Sequence, residues 1–264
     1  MELNKIYNMD VFDFLEKLED KSVDLAIVDP PYNKSIDKWD EFKDEEEFLE
    51  FTFNWIQKTI SKIKPNGSFY VFNSPYNCAI VLNYLRDKNV FFKNWITWYK
   101  KDGFGPTKKR YVNNQESILF FTMSNSDYTF NADEIRVPYD SKSRMKHAEK
   151  KGILKNGKRW FPNEKGKLCT DVWEESSYRH KNKKNGKTQK FIHPTPKPLE
   201  IIKRMILASS NENDLILDLF SGSGTTSYIS KKYNRNFLGC EVNKEYFKYA
   251  NERLKSIKRG VNND

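Results

Sequence analysis

Apolar positions along most of the chain follow two alternating periods. Short apolar runs such as 23–28 (VDLAIV) and 117–122 (SILFFT) predict buried strands, and apolar residues three or four positions apart predict helices between them. The predicted strands are 3–9, 23–28, 68–73, 94–99, 117–122, 215–220 and 236–241, and the predicted helices are 11–19, 44–63, 78–86, 199–206, 225–232 and 244–257. This alternation predicts an α/β fold with a mostly parallel, doubly wound sheet.

The periodicity fades after residue 122 and returns near Pro198. We therefore predict a catalytic domain formed by 1–122 and 193–264, interrupted by an inserted region, 123–192. Within that insert, residues 136–190 hold 17 Lys and Arg against 6 Asp and Glu, so this segment carries the whole net excess of a chain whose formal charge is +10. Aromatic residues are interleaved with the basic ones, which favours contact with nucleic-acid phosphates over a solvated loop.

Composition excludes several classes of protein. The chain has 264 residues, 38% hydrophobic and 31% charged, and no run of eighteen apolar residues that would predict a membrane helix. The first ten residues lack the pattern of a signal peptide. Three scattered cysteines and three histidines predict neither a disulfide framework nor a metal site, so a reducing cytoplasm is the expected compartment.

Four candidate site segments each follow a predicted strand. They are Asp10, Asp29-Pro30-Pro31-Tyr32, the loop 220–224 (FSGSG) and Glu241. Because ligands of doubly wound sheets bind outside the carboxyl ends of the strands, we expect these distant segments to meet at one edge of the sheet.

Each segment suggests a chemistry. Glycines after a strand let the backbone approach a ligand, although FSGSG is neither a dinucleotide fingerprint nor a P-loop, and a plain tight turn remains open. Glu241, one strand later, is placed to accept hydrogen bonds from ribose hydroxyls. The two prolines have no N–H, so the carbonyl oxygens and the Asp29 carboxylate remain as acceptors suited to an amino group. Tyr32 offers an aromatic face for a base removed from its helix. A proline turn that caps a strand is the plain alternative.

Three motifs together resemble the S-adenosylmethionine-dependent amino-methyltransferases of DNA. DPPY (29–32) comes first, then a basic variable region, then HPTPKP (193–198), then DLFSGSGTT (218–226), an order similar to that of the circularly permuted β group of this family. The segments 94–105 and 152–163 also resemble an adenine methyltransferase of a restriction–modification system. The resemblance spans nearly the whole chain and implies a Rossmann-like methyltransferase sheet with the basic insert as target-recognition region.

The resemblance implies a role for each matching residue. The implied S-adenosyl-L-methionine contacts are Asp10, Thr195, Lys197, Asp218, Phe220, Gly222, Ser223, Gly224 and Glu241, with Thr195 and Lys197 at the methionine carboxylate. Asp29, Pro30, Pro31 and Tyr32 would hold the flipped target base. Residues 99–110 are expected to be a mobile loop over the site. The expected contacts to double-stranded DNA are Lys108, Lys109, Arg110, Arg144, Arg159 and Arg179.

The expected reaction is direct methyl transfer to the N6 amino group of adenine. In this family DPPY mostly accompanies adenine, while N4-cytosine methylation and an inactive nucleic-acid-binding module stay open as alternatives. The absence of a Pro-Cys dipeptide argues against carbon-5 cytosine chemistry, which needs a cysteine nucleophile. A homodimer and a cognate restriction endonuclease stay open as partners, and no membrane partner is expected.

Overall fold

The computed structural model describes residues 1–101, 108–177, 182–184, 187–189 and 195–257. The strands are β1 (Lys5–Tyr7), β2 (Val23–Val28), β3 (Ile63–Asn73), β4 (Phe91–Tyr99), β5 (Gln115–Thr122), β6 (Ile153–Lys155), β7 (Lys158–Trp160), β8 (Val172–Glu174), β9 (Asn182–Lys184), β10 (Lys187–Gln189), β11 (Leu215–Asp218) and β12 (Asn236–Cys240). The α-helices are α1 (Val11–Glu16), α2 (Glu45–Lys62), α3 (Pro75–Leu85), α4 (Lys142–Lys151), α5 (Leu199–Ser209), α6 (Thr225–Lys232) and α7 (Lys244–Lys255). Short 3₁₀ turns cover Lys38–Asp40 and Ala132–Ile135.

One eight-stranded sheet organises the chain. Its order is β1-β12-β11-β2-β3-β5-β4-β8, and the pairs from β1 to β3 are all parallel. The strands β11 and β12 come late in the chain, yet they lie beside β1 and β2. The α/β prediction is therefore confirmed, and all the segments expected at the sheet edge follow parallel strands.

The other side of the sheet is mixed. The strand β5 runs antiparallel to both β3 and β4, so its first residues lie beside the last residues of those two strands. In the register, Ser117 faces Asn73, and Glu116 faces Trp98. This reversal brings the start of β5 to the same edge as the carboxyl ends of the parallel strands.

Two apolar clusters cover the two faces of the sheet. On one face, α1, α2 and α3 pack with buried Phe14, Trp55 and Phe69. On the other face, α5, α6 and α7 contribute Ile202, Ile229 and other buried side chains. Because both faces are covered, the loops at the strand ends are the places where polar groups can face a ligand.

Local chemistry explains two departures from the predicted boundaries. The helix α3 begins at Pro75, ahead of the predicted residue 78, because the Ser74 hydroxyl accepts from the Asn77 N–H at 3.2 Å and proline suits the first helical position. The segment Pro65-Asn66-Gly67, between the predicted helix 44–63 and the predicted strand 68–73, lies inside β3 as an irregularity, where pairing with β2 jumps from Ile63 to Ser68.

The segment 123–192, predicted to be an insert, is partly attached to the sheet. Its strand β8 pairs with β4 in parallel and forms the outer edge. The Asn131 amide donates to the carbonyl oxygens of Leu207 and Ser210 at 3.1 Å, which fixes the start of the insert to the end of α5. The strands β6 and β7 form a separate antiparallel hairpin, as do β9 and β10. None of the helices in the described ranges has the length and apolarity needed to span a bilayer.

Candidate active site

A cavity of about 320 Å³ opens at the carboxyl ends of the parallel strands. Most of the predicted site residues share in its lining: Asp10, Asp29, Pro30, Pro31, Tyr32, Thr195, Lys197, Asp218, Phe220, Gly222, Ser223 and Glu241. The structure therefore brings together segments that are up to about two hundred residues apart. We call the side around Gly222 and Glu241 the glycine-loop half, and the side around Asp29 and Tyr32 the DPPY half.

In the glycine-loop half, backbone groups hold the Glu241 carboxylate. Its Oε2 accepts the N–H of Gly222 and its Oε1 accepts the N–H of Asn243, both at 2.8 Å. Glu241 is buried, and burial raises its pKa while the two N–H groups act against that rise. Each carboxylate oxygen keeps a lone pair for a further donor, so the group can still bind two hydroxyls.

Two further carboxylates border this half. Asp10 is the N-cap of α1, where its carboxylate accepts the N–H of Phe12 at 2.8 Å. Asp218 ends β11 and is buried, and burial raises its pKa to about 7. Hydrogen bonds from Thr226 and from the Phe220 backbone act against that rise. The aromatic ring of Phe220 packs against Trp55 with ring centroids 5.8 Å apart and adds an apolar face to the cavity.

Gly224 is outside the cavity lining, unlike Gly222 and Ser223. It is the N-cap of α6 with φ +70°, a left-handed backbone that favours glycine. A Cβ there would stand 2.8 Å from the Cβ of Ala250 in α7. Helix entry and close packing on α7 therefore account for this glycine.

In the DPPY half, the carboxylate of Asp29 has a partner on each oxygen. Its Oδ2 accepts the ammonium of Lys197 at 2.6 Å, and its Oδ1 accepts the hydroxyl of Tyr32 at 2.9 Å. Burial raises the pKa of Asp29, and Lys197 acts against the rise. The predicted contact of Lys197 with a methionine carboxylate stays a prediction, since the contacts of its ammonium here are with carboxylates of the protein.

Sequence reasoning missed the second carboxylate of this half. Glu116 lies near the start of β5, where its Oε2 is 3.5 Å from the Lys197 ammonium and its Oε1 accepts the ammonium of Lys100. Burial acts to raise the pKa of Glu116, but Lys197 and Lys100 outweigh burial and hold it below its usual range. The ammonium of Lys34 lies 4.7 Å from the centre of the Tyr32 ring.

A buried aspartate that sequence reasoning also missed shapes the loop after DPPY. The carboxylate of Asp40 accepts four backbone N–H groups at 2.5 to 3.3 Å, those of Tyr32, Asn33, Lys34 and Ile36. A single carboxylate thus closes the turn that presents the tyrosine. Its spacing of four to eight residues from its partners fits a local turn, which is the signal that could have found it.

The amide of Asn77 in α3 supports the same turn from the other side. Its Nδ2 donates to the carbonyl oxygen of Tyr32 at 3.0 Å and to the side-chain oxygen of Asn73 at 2.8 Å. The backbone of Tyr32 is therefore held at both its N–H and its carbonyl group.

The predicted DNA contacts fall on four parts of the chain. Lys108, Lys109 and Arg110 are exposed, next to residues 102–107 of the predicted loop, which lie outside the described residues. Arg159 is exposed in β7, and its guanidinium donates to the carbonyl of Lys151 at the end of α4. Arg144 belongs to α4, but its side chain and the whole of Arg179 lie outside the described part, as do His193 and Pro194.

The sheet, the glycine loop and the cavity at the strand ends define a Rossmann-like methyltransferase. A family model described as DNA methylase (N6_N4_Mtase) matches residues 23–252. The type II methyltransferase M1.MboII of Moraxella bovis is 55% identical over 97% of this chain and 98% of its own length. The chain belongs to this DNA methylase family.

One further relative by sequence and two solved structures are also similar to this chain. The DNA adenine methyltransferase YhdJ of Escherichia coli (strain K12) is 33% identical over 96% of this chain and 83% of its own length. The crystal structure of the M1.HpyAVI-SAM complex shares 27% identity with a TM-score of 0.60, over 95% of this chain and 99% of that one. The PvuII cytosine-N4-specific DNA methyltransferase, 16% identical with a TM-score of 0.70 over 97% of this chain and 87% of that one, shows a shared fold.

Proposed function

We propose that this protein transfers a methyl group from S-adenosyl-L-methionine to the N6 amino group of adenine in a specific double-stranded DNA site, as the modification enzyme of a restriction–modification system. The observation that carries the proposal is one cavity with two chemically different halves. The glycine-loop half offers acceptors and backbone groups for a nucleoside cofactor, and the DPPY half offers a carboxylate and an aromatic face for a base.

The glycine-loop half fits S-adenosyl-L-methionine by its donor set. Glu241 would hold the ribose hydroxyls, Phe220 would pack on the cofactor, and Asp10 would accept from its adenine amino group. Gly222 and Ser223 leave the backbone open to close approach, and Asp218 shapes the loop from beneath. A SAM complex of a solved relative supports the same cofactor. When bound, the cofactor supplies an electrophilic methyl group on a sulfonium.

In the DPPY half, the protein's part in the reaction is to position and to accept. Asp29 and the carbonyl groups beside Pro30 and Pro31 would accept the two hydrogens of the target amino group, which keeps electron density on its nitrogen. Tyr32 would stack on the base once it has left the duplex. The nitrogen attacks the methyl carbon in line, the carbon–sulfur bond breaks with its electron pair on sulfur, and one proton leaves the new amine for Asp29 or solvent. Proximity and orientation supply the rate enhancement.

Double-stranded DNA is the proposed partner, approached through the basic insert and the basic residues 108–110 that precede it. The exposed Lys108, Lys109, Arg110 and Arg159 would contact phosphates or base edges, and Arg144 and Arg179 stay predictions of the same kind. Phosphate contacts of this type make affinity fall with salt. The proposed compartment is the bacterial cytoplasm, where the DNA is.

Adenine rather than cytosine is the finer part of the proposal. It is supported by Asp29 at the first position of the motif and by a relative named as an adenine methyltransferase. The fold does not separate the two bases, since a cytosine-N4-specific enzyme shares it. The test must therefore identify the product itself.

The decisive experiment uses unmethylated DNA and methyl-labelled S-adenosyl-L-methionine. After digestion to nucleosides and mass analysis, we expect the label in N6-methyladenine, and none with the Asp29→Ala variant. Label in N4-methylcytosine would keep the site and overturn the base. Cofactor binding without any labelled DNA base would overturn the proposal in favour of an inactive binding module or an RNA enzyme.

A further inference from the structure

One buried ammonium in the DPPY half lies between two carboxylates. The Nζ of Lys197 is 2.6 Å from Oδ2 of Asp29 and 3.5 Å from Oε2 of Glu116. The Lys197 side chain is 9% exposed and that of Glu116 is 14% exposed. The short distance defines a hydrogen bond with Asp29, while the longer one leaves Glu116 as a nearby second acceptor.

Glu116 is itself held from two other directions. Its Oε1 accepts the ammonium of Lys100, which follows β4, and the Tyr32 hydroxyl is 3.4 Å from its Oε2. The ring of Tyr32 also lies 5.4 Å from the Lys197 ammonium. Glu116 is therefore held in a position where it can form a closer ion pair with the Lys197 ammonium without moving itself.

The proposed role of Asp29 conflicts with its present partners. Both of its oxygens already accept a hydrogen bond, one from Lys197 and one from Tyr32. Each oxygen keeps a second lone pair, but the ammonium that donates at 2.6 Å is a charged, stronger donor and leaves the carboxylate a weaker acceptor for an amino group. If Lys197 left Asp29 with no other carboxylate nearby, a buried charge would lose its partner, which is strongly unfavourable.

We propose that Glu116 is a positioning residue that takes over the ammonium of Lys197 when the target amino group binds Asp29. This inference rests on the proposed function, because it concerns the acceptor of that reaction. Lys197 moves from one carboxylate to the other, and Asp29 becomes a stronger acceptor for the amino group without any buried charge losing its partner. Lys100 keeps Glu116 in place throughout.

The charges near the two carboxylates shift their pKa values in the directions that this exchange requires. Asp29 faces Lys197, Tyr32, Glu116 and, more distantly, Asp218, and Glu116 faces Lys197, Lys100 and Lys34. Burial raises the pKa of Asp29, Lys197 lowers it, and the charge of Glu116 raises it. Loss of the Glu116 charge should therefore lower the pKa of Asp29 for two reasons. A nearby negative charge is removed, and the Lys197 ammonium then pairs with Asp29 alone.

The test compares three variants, each with cofactor and unmethylated DNA at saturation. Glu116→Gln removes the charge and keeps the shape, and Glu116→Asp keeps the charge. Asp24→Asn is the matched structural control, since Asp24 pairs with Lys64 at 2.7 Å and accepts the N–H of Leu215 outside the cavity lining. The readouts are the single-turnover rate of methyl transfer against pH and the NMR titration of the ¹³C-labelled Asp29 carboxyl group, assigned with Asp29→Asn.

For Glu116→Gln we expect the plateau rate to fall about tenfold, the factor that corresponds to an interaction of one pKa unit. The Asp29 carboxyl group should titrate at a lower pH than in wild type. Glu116→Asp should recover part of the rate, and Asp24→Asn should change neither readout even where it lowers stability. A Glu116→Gln enzyme with the rate and Asp29 titration of wild type would overturn the inference, as would equal rate losses in Glu116→Gln and Asp24→Asn.

The same experiment separates this inference from the proposed function. A wild-type protein that methylates no DNA base refutes the function. The Asp29 titration then decides the inference alone, because an unchanged titration in Glu116→Gln removes Glu116 from control of that carboxylate. Methylation of cytosine N4 would refute only the choice of base, since that amino group makes the same demand on Asp29.

Discussion

The two halves of the cavity bind their carboxylates in different ways. In the glycine-loop half, Glu241 is held by backbone N–H groups of Gly222 and Asn243, which move only if the main chain moves. In the DPPY half, Asp29 and Glu116 are held by lysine side chains, which can change partners. The acceptor of the glycine-loop half is therefore fixed by the main chain before a ligand binds, while the acceptor of the DPPY half is held in an ion pair that a ligand would have to rearrange.

The topology explains this difference. The glycine-loop half lies between parallel strands, where the turn after β11 points the N–H of Gly222 at Glu241, the residue that follows β12. The DPPY half lies where the sheet turns antiparallel, so side chains from β5 and from the segment after β4 enter it instead. Each half is therefore open to a different kind of disruption.

The largest effect is expected from Asp29→Ala. Transfer should fall by about 10²- to 10³-fold, the range seen when a group aimed at the reacting centre is removed, while the dissociation constant for S-adenosyl-L-methionine stays within a few-fold. Single-turnover rates and calorimetric titration measure the two quantities, with Asp24→Asn on the same strand as control. Equal loss of cofactor binding would end the division of the cavity into two independent halves.

The second-largest effect is expected from Asp40, whose carboxylate holds the backbone of the DPPY half. Asp40→Ala leaves four N–H groups without their acceptor and should lower the free energy of unfolding by about 3 kcal/mol. Chemical denaturation measures this, and methyl transfer should also slow well below the melting temperature because Tyr32 loses its support. Asp44→Ala, which removes the N-cap of α2, is the control and should cost about 1 kcal/mol with normal transfer. Normal transfer in Asp40→Ala would mean that the turn holds without its carboxylate.

Glu241→Ala should weaken cofactor affinity about 20-fold, which corresponds to about 1.8 kcal/mol and to the loss of hydrogen bonds to a charged group. The rate at saturating cofactor should change much less. Calorimetry against the exposed Glu245→Ala, in the first turn of α7, gives the comparison. Wild-type affinity in Glu241→Ala would remove Glu241 from the ribose role.

A smaller effect is expected on the pH dependence of stability. Burial raises the pKa of Asp218 from 3.8 to about 7, so the folded protein binds a proton there that the unfolded chain has lost. This contribution to stability is full below the unfolded pKa and is lost as pH rises to about 7, with a slope of at most about 1.4 kcal/mol per pH unit. Denaturation of wild type and Asp218→Asn across this window should show that the variant lacks the slope; parallel curves would contradict the protonated state of Asp218.

The smallest effect is expected outside both halves. Arg110→Ala removes one exposed cation and should weaken DNA binding only a few-fold while reducing the slope of log affinity against log salt by about 1. Fluorescence anisotropy at several salt concentrations measures it, with Lys58→Ala on α2 as control. An unchanged slope would place Arg110 away from the phosphates.

Much of the cavity was predictable because its residues follow strands in sequence. The period of apolar residues located the strands, and carboxyl ends of parallel strands share an edge, so Asp29, Gly222 and Glu241 could be expected together. Glu116 could not be expected there, because it begins an antiparallel strand and the period of a strand does not reveal its direction. Gly224 was predicted as a cofactor contact from its motif, but the structure explains it by packing on α7.

The α/β class, the order of the motifs and the location of the basic excess can be read from the chain alone, because periodicity, short motifs and charge are local properties. The antiparallel direction of β5, the burial of several charges together and the position of Lys197 between Asp29 and Glu116 follow from the folded molecule. Buried ion pairs depend on distances between segments far apart in the chain, and packing of the whole sheet sets those distances.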